Sequence, residues 1–95
     1  MILTKRYQLG TKEAPEPLQL DNILPKYKEF TIVAGATSTA IYMAGEHGNC
    51  LSKGLRYALP LDKERRYKVS NLNQVFLYAD STGSVTVDVC CEVDE

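Results

Sequence analysis

Residues 84–95 read SVTVDVCCEVDE. Taken two residues at a time, Val85, Val87, Val89, Cys91 and Val93 fall on one face. Ser84, Thr86, Asp88, Cys90, Glu92 and Asp94 fall on the other. A ribbon with one apolar and one wet face is the unit of an antiparallel sheet packed on a core. Upstream segments repeat the pattern. YKEFTIVAG, starting at Tyr27, sets Phe30, Ile32 and Ala34 against Glu29, Thr31 and Val33 and stops at Gly35. STAIYMAG sets Ile41 and Met43 against Tyr42 and stops at Gly45. LRYALPL is cut by Pro60, and RYKVSNL sets Tyr67 and Val69 against Arg66 and Lys68. A proline and guarding lysines both suit sheet edges. NQVFLYAD sets Val75, Leu77 and Ala79 against Phe76 and Tyr78. DSTGS, with Gly83 free to take a positive φ, predicts a turn that makes the last two strands a hairpin.

No segment of useful length shows a capped helical period, and LDKERRYK has helix formers without an apolar stripe. The chain is therefore expected to be all-β: one small antiparallel β-sandwich of six to seven short strands. Its predicted core is Phe30, Ile32, Ile41, Met43, Leu59, Val69, Val75, Leu77, Val85, Val87 and Val89. Residues 27–95 form the sandwich domain in this reading, and residues 1–26 an extended N-terminal arm. MILTKRYQL offers a short strand, but the following stretch carries Pro15, Pro17 and Pro25, which fix the backbone and remove donors. Leu18, Leu20, Ile23 and Leu24 make the arm too apolar for a solvated linker, so it is expected to lie on its own sandwich or to bind a partner through those four.

The chain has 95 residues, 44% hydrophobic and 24% charged, with a net charge of −1. That is one domain, burying roughly 60–65% of its unfolded surface. No apolar run approaches the roughly 20 residues of a membrane span. No signal-peptide core follows Met1, Ile2 and Leu3, so synthesis in a cytoplasm without membrane contact is expected. Near-neutral charge speaks against nucleic acid as a partner. The charge is nonetheless uneven. Lys53, Arg56, Lys63, Arg65, Arg66 and Lys68 face only Asp62 and Glu64 within residues 53–68, whereas Asp80, Asp88, Glu92, Asp94 and Glu95 stand without a base from residue 80 onward. Two solvated surfaces account for this. So does contact between identical subunits, with Arg56, Arg65 and Arg66 meeting Asp88 and Glu92.

Catalysis requires a base or nucleophile, an orienting partner and a charge stabiliser. The single histidine, His47 in GEHGNC, has Cys50 nearby but no third member. His47 and Cys50 are spaced like half a zinc site with Cys90 and Cys91 as imaginable partners, but neighbours in a strand point to opposite faces, so a metal-dependent enzyme is the last of the readings and no zinc site is expected. Asp88 and Glu92 share a face but sit about 13–14 Å apart along a strand, too far for joint acid–base work. AGATSTAIYMAGEHG lacks both a Walker lysine and a GxGxxG. No catalytic, cofactor-binding or metal-binding residue is assigned, and an enzyme is not expected. The cysteines are three, which is no disulfide framework. Cys91 belongs with the core valines. Cys50 and Cys90 are the candidates for a disulfide, within a subunit or between subunits, with inert thiols as the simpler reading.

The order of phrases from Phe30 to Val93 carries a resemblance. FTIVAGATSTAIYMAGEHG, then YALPLDKERRYKVSNLNQVFLYADSTGSVTVDV, resembles small β-sandwich virion structural proteins of tailed bacteriophages, of the head-decoration or head-fibre type. The matching positions are Thr31–Ile32, residues 41–45, Val69–Ser70–Asn71–Leu72 and residues 75–80, ending in Val85, Val87 and Val89. LDKERR and the cysteines depart from that pattern and leave the subunit contacts open. The resemblance implies a capsid decoration (cement) protein of the virion, made in the host cytoplasm. Such a protein binds the major capsid protein and stabilises the shell by bridging its subunits, as a homo-oligomer with a trimer favoured. Oxidised particles would then permit an interchain bond through Cys50 or Cys90. The alternatives are a receptor- or carbohydrate-binding module of a head or tail fibre, using Tyr42 and Tyr78 as an exposed platform, and a head–tail or tail accessory protein.

Overall fold

A computed structural model of the chain describes residues 1–9, 16–35, 40–79 and 85–94. The turn expected at 80–84 lies outside these residues, as do Asp80 and Glu95 of the acidic set. Eight strands are described: β1 (Ile2–Leu9), β2 (Leu18–Gln19), β3 (Glu29–Ala34), β4 (Ile41–Ala44), β5 (Tyr57–Ala58), β6 (Glu64–Lys68), β7 (Phe76–Ala79) and β8 (Val85–Glu92). They form two four-stranded antiparallel sheets, ordered β1-β8-β3-β6 and β2-β7-β4-β5. The fold is an all-β sandwich.

The alternation in residues 85–92 has its cause in this order. β8 is a central strand, paired with β1 along its whole length and with β3 on the other side. Val85, Val87, Val89 and Cys91 are buried between the sheets, while Thr86, Asp88 and Cys90 remain half-covered on the outer face. A strand with neighbours on both sides and a core beneath it needs strict period two, because a one-residue slip would turn every valine outward.

Two expectations fail. β7 and β8 are not a hairpin, because β7 pairs with β2 and β4 in one sheet while β8 pairs with β1 and β3 in the other. Turn-forming residues reverse the chain equally well within a sheet or between two, so their chemistry alone does not decide which. Nor are residues 1–26 an arm outside the sandwich. β1 runs all eight residues beside β8, and β2 is the edge of the second sheet beside β7. Tyr7, Leu9 and Leu20 are buried in the common core. Between Glu16 and Lys28 the described ladder pairing is the two residues of β2, as the prolines lead one to expect, yet Leu20 still enters the core.

The N-terminal segment is also tied down by polar groups. The Tyr7 hydroxyl donates to the Asp21 carboxylate at 3.2 Å and accepts from the Asp21 amide at 3.2 Å, across the gap between the sheets. Lys5 sits in the inward phase of β1, yet reaches Asp21 at 2.9 Å at the rim. This contact holds the Lys5 ammonium above its ordinary value and the Asp21 carboxyl below its own, mainly through their shared hydrogen bond. Asn71 caps the 3-10 turn Leu72–Gln74, accepting from the Asn73 amide at 3.0 Å. It also accepts from the Ile23 amide at 3.2 Å and donates to the Asn22 side chain at 2.6 Å. One capping residue thus fastens residues 22–23 to a turn 48–49 residues further along the chain.

Candidate binding surface

The outer face of the β1-β8-β3-β6 sheet is a polar grid. Register places Thr4, Cys90, Thr31 and Arg66 in one row across the four strands, and Arg6, Asp88, Val33 and Glu64 in the next. Arg6 donates to Asp88 at 2.8 Å, and Arg66 approaches Glu29 at 3.4 Å. Both are exposed pairs of small energetic weight. Asp88 and Arg66, expected as contacts to another subunit, are therefore paired within the chain. Glu92 and Arg65 are exposed.

Arg56 lies elsewhere. Residues 45–56 fold back over the outer face of the second sheet, and the 3-10 turn Gly48–Leu51 buries Cys50 completely. The Cys50 thiol donates to the Phe76 carbonyl at 3.6 Å, and His47 meets the Phe76 ring edge-on at 6.2 Å. The Arg56 guanidinium stacks 3.6 Å above the Tyr42 ring and donates to the Cys50 carbonyl at 3.3 Å. Tyr42 and Tyr78 do oppose the core, as their phase predicts. They do not form an open platform, because this cover leaves Tyr78 only 8% exposed. An arginine on a tyrosine face occupies the surface a sugar ring would stack on.

The same geometry separates the candidate disulfide partners. Cys90 is on the outer face of one sheet and Cys50 is under the cover of the other. Stacked sheets stand about 10 Å apart, beyond the roughly 7 Å Cα limit for a bridge. Cys50, Cys90 and Cys91 are all free thiols. Burial pushes the Cys50 and Cys91 thiols up from their ordinary value. One fast thiol is therefore expected toward an aromatic disulfide reagent, reacting at least about tenfold faster than the other two. Cys90→Ser should abolish that phase; a fast phase surviving in this variant would place the exposed thiol elsewhere.

Exposed large apolar side chains are not spread evenly. Leu24, Tyr27 and Ile2 are 67%, 66% and 69% exposed, and Met1 joins them. Two backbone bonds hold these residues around the end of β8: Lys26 N–H donates to the Glu92 carbonyl at 2.7 Å, and Val93 N–H to the Met1 carbonyl at 2.8 Å. Ile2, Tyr27, Thr31, Arg66, Cys90 and Glu92 line a shallow depression of about 340 Å³ there. Of the sequence candidates, this brings together Arg66, Cys90 and Glu92 and leaves Arg56 and Cys50 behind. Leu24 stays exposed at this end, whereas Leu20 is buried and Leu18 and Ile23 pack against the core. Of the four expected partner-binding residues, Leu20 is thus spent on the chain's own core.

Around the corner, between β5 and β6, lies a second groove of about 430 Å³. Leu55 and Tyr57 stand at its mouth, and Met43, Tyr67, Val69 and Val75 line it. Tyr27, Lys28, Lys68, Val69 and Ser70 line a further hollow at the same end, which shares Tyr27 with the first depression and Lys68 and Val69 with the second. The Tyr67 hydroxyl is buried without a hydrogen-bond partner among the described residues. Burial pushes it up to about 12; the Tyr57 hydroxyl adds to the rise from nearby but outside hydrogen-bonding geometry. Ile2 was missed in the sequence because Lys5 breaks the inward phase of β1, whereas Met1 and Tyr27 lie outside that strand and reach this end only through the closure of the chain around β8.

No protein-family profile, curated protein or solved structure matches the chain.

Proposed function

We propose that the protein works by adhesion, as a decoration protein that docks on the shell of a bacteriophage virion and bridges copies of the major capsid protein. The reading rests on one observation above the others: six large apolar side chains, Met1, Ile2, Leu24, Tyr27, Leu55 and Tyr57, stand exposed around one end. Contiguous exposed apolar surface costs solvation unless something covers it, and it marks interaction sites on folded domains. Lys26, Lys28, Lys68, Glu29 and Glu92 surround that end with charge of both signs, the anatomy of an apolar centre with a polar rim. The phrases from Phe30 to Val93 favour a virion as the setting. A sandwich tied at both termini is stiff, so little ordering entropy is lost on docking. Weak single contacts then sum over many copies, in trimers at capsid symmetry axes.

Rebinding to shells stripped of the protein tests this. Wild type should reach saturating occupancy at a fixed ratio to the major capsid protein. Ile2→Asp and Tyr27→Asp should each raise the half-saturating concentration about tenfold or more. Neither should move the melting temperature appreciably, since both side chains already face water. Full occupancy by both variants would sink the proposal.

A further inference from the structure

The groove between β5 and β6 is where the sandwich stays open. β5 ends after two residues, so it leaves most of the longer β6 without a covering neighbour in the opposite sheet. Among the described residues, β6 pairs with β3 alone. Val69 N–H donates to the Lys28 carbonyl at 2.9 Å, which sets the phase of that ladder. Hydrogen-bonded pairs alternate along an antiparallel ladder, so residues 65, 67 and 69 point their backbone groups at β3. The N–H and C=O groups of Glu64, Arg66 and Lys68 point the other way, away from β3, and have no backbone partner among the described residues. The strand and its approach carry Lys63, Arg65, Arg66 and Lys68 against Glu64. Arg65 and Lys68 have no ion pair among the described residues. Arg65 follows the inward phase of the strand, since it pairs with the buried Ile32.

We infer that this edge accepts an extended strand from a partner protein, one that alternates apolar and acidic residues. Such a strand pairs with the free backbone of β6 and sets apolar side chains into the groove beside Tyr67 and Leu55. A carbonyl of the strand accepts from the Tyr67 hydroxyl, and its acids, all on the outer face, meet Lys68 and the exposed Arg66. Main-chain pairing supplies affinity, and period-two side chains supply choice. Basic residues on an edge strand discourage pairing with another copy of the same edge while admitting an acidic one. The inference deepens the adhesive reading and rests on it for the partner being a protein.

The probe is an end-blocked octapeptide, Asp-Val-Glu-Leu-Asp-Val-Glu-Leu, titrated into the full-length isotope-labelled protein. A block-ordered peptide of the same composition and a version with lysine for each acid serve as controls. The alternating peptide is expected to slow hydrogen exchange at the Arg66 and Lys68 amides and to shift the Met43 and Leu55 methyl signals. Affinity should fall about tenfold or more for each control. It should fall similarly in Arg66→Pro, which removes an outward N–H from an edge where proline is tolerated. Leu55→Asp, at a side chain 63% exposed, should weaken binding without threatening the fold. Equal binding by the block-ordered peptide, unchanged exchange at Arg66 and Lys68, or undiminished affinity in Leu55→Asp would each overturn the inference. If stripped shells still lose Tyr27→Asp when these results are negative, strand docking alone has failed and the adhesive end stands.

Discussion

Deleting residues 1–9 should leave a chain that does not fold. A detached arm would be dispensable for the sandwich, and its loss would lower only partner binding. β1 is instead half of the pairing of β8, opposite all eight of its residues. It places Tyr7 and Leu9 in the core, each contributing about 1.5–3 kcal/mol by burial. Two such side chains, together with a ladder of backbone bonds, are comparable to the 5–15 kcal/mol total stability of a domain this small. The deletion would also leave the valine-rich β8 as an open edge, a template for aggregation. The expected product is insoluble, or shows no cooperative thermal transition and no dispersed amide spectrum. A soluble, dispersed, cooperatively melting chain of residues 10–95 would mean that the core is complete without β1.

What the sequence disclosed follows from where each strand sits. β8 and β3 are interior to their sheet, with one face packed and the other wet, and their alternation was legible to the residue. β5 and β6 are edges, and their proline, lysines and arginines said so. The N-terminal 26 residues were harder to read for a physical reason. Lys5 occupies an inward-phase position at the exposed rim, where it pairs with Asp21, a contact 16 residues distant that no local pattern announces. Cys50 likewise reads as a loop residue, and it is buried because the segment around it folds onto Phe76 and Tyr42. The candidate surface was the least legible part. Ile2, Leu24 and Tyr27 are ordinary residues one at a time; only the closure of the chain around the end of β8 brings them together. Pairing partners were hidden for a related reason. Of the strands that follow one another in the chain, only β4 and β5 are neighbours in a sheet.

Phe30→Ala should cost about 3–5 kcal/mol, a fall in melting temperature of roughly 15–30 °C for a domain of this size. Phe30 is 1% exposed on β3. Its ring lies 6.0 Å from that of Tyr67 on β6, which in turn stands edge-on to Tyr57 on β5 at 5.9 Å. These three rings carry the core from one sheet to the other at the edge where the sandwich is open. Their burial is graded: Phe30 is enclosed, Tyr67 partly covered and Tyr57 48% exposed. Removing the first leaves a cavity that rigid neighbouring strands cannot fill, whereas removing the last mostly uncovers surface that water already reaches. Tyr57→Ala should therefore cost no more than about 1 kcal/mol, most of it the lost ring contact. Denaturant unfolding of the two variants reads this contrast directly. Equal losses would mean that the β5 edge is packed as tightly as the interior, and a groove beside Tyr67 would then have no room for a partner's side chain. A large loss at Phe30 with a small one at Tyr57 leaves the edge free to bind without drawing on the stability of the core.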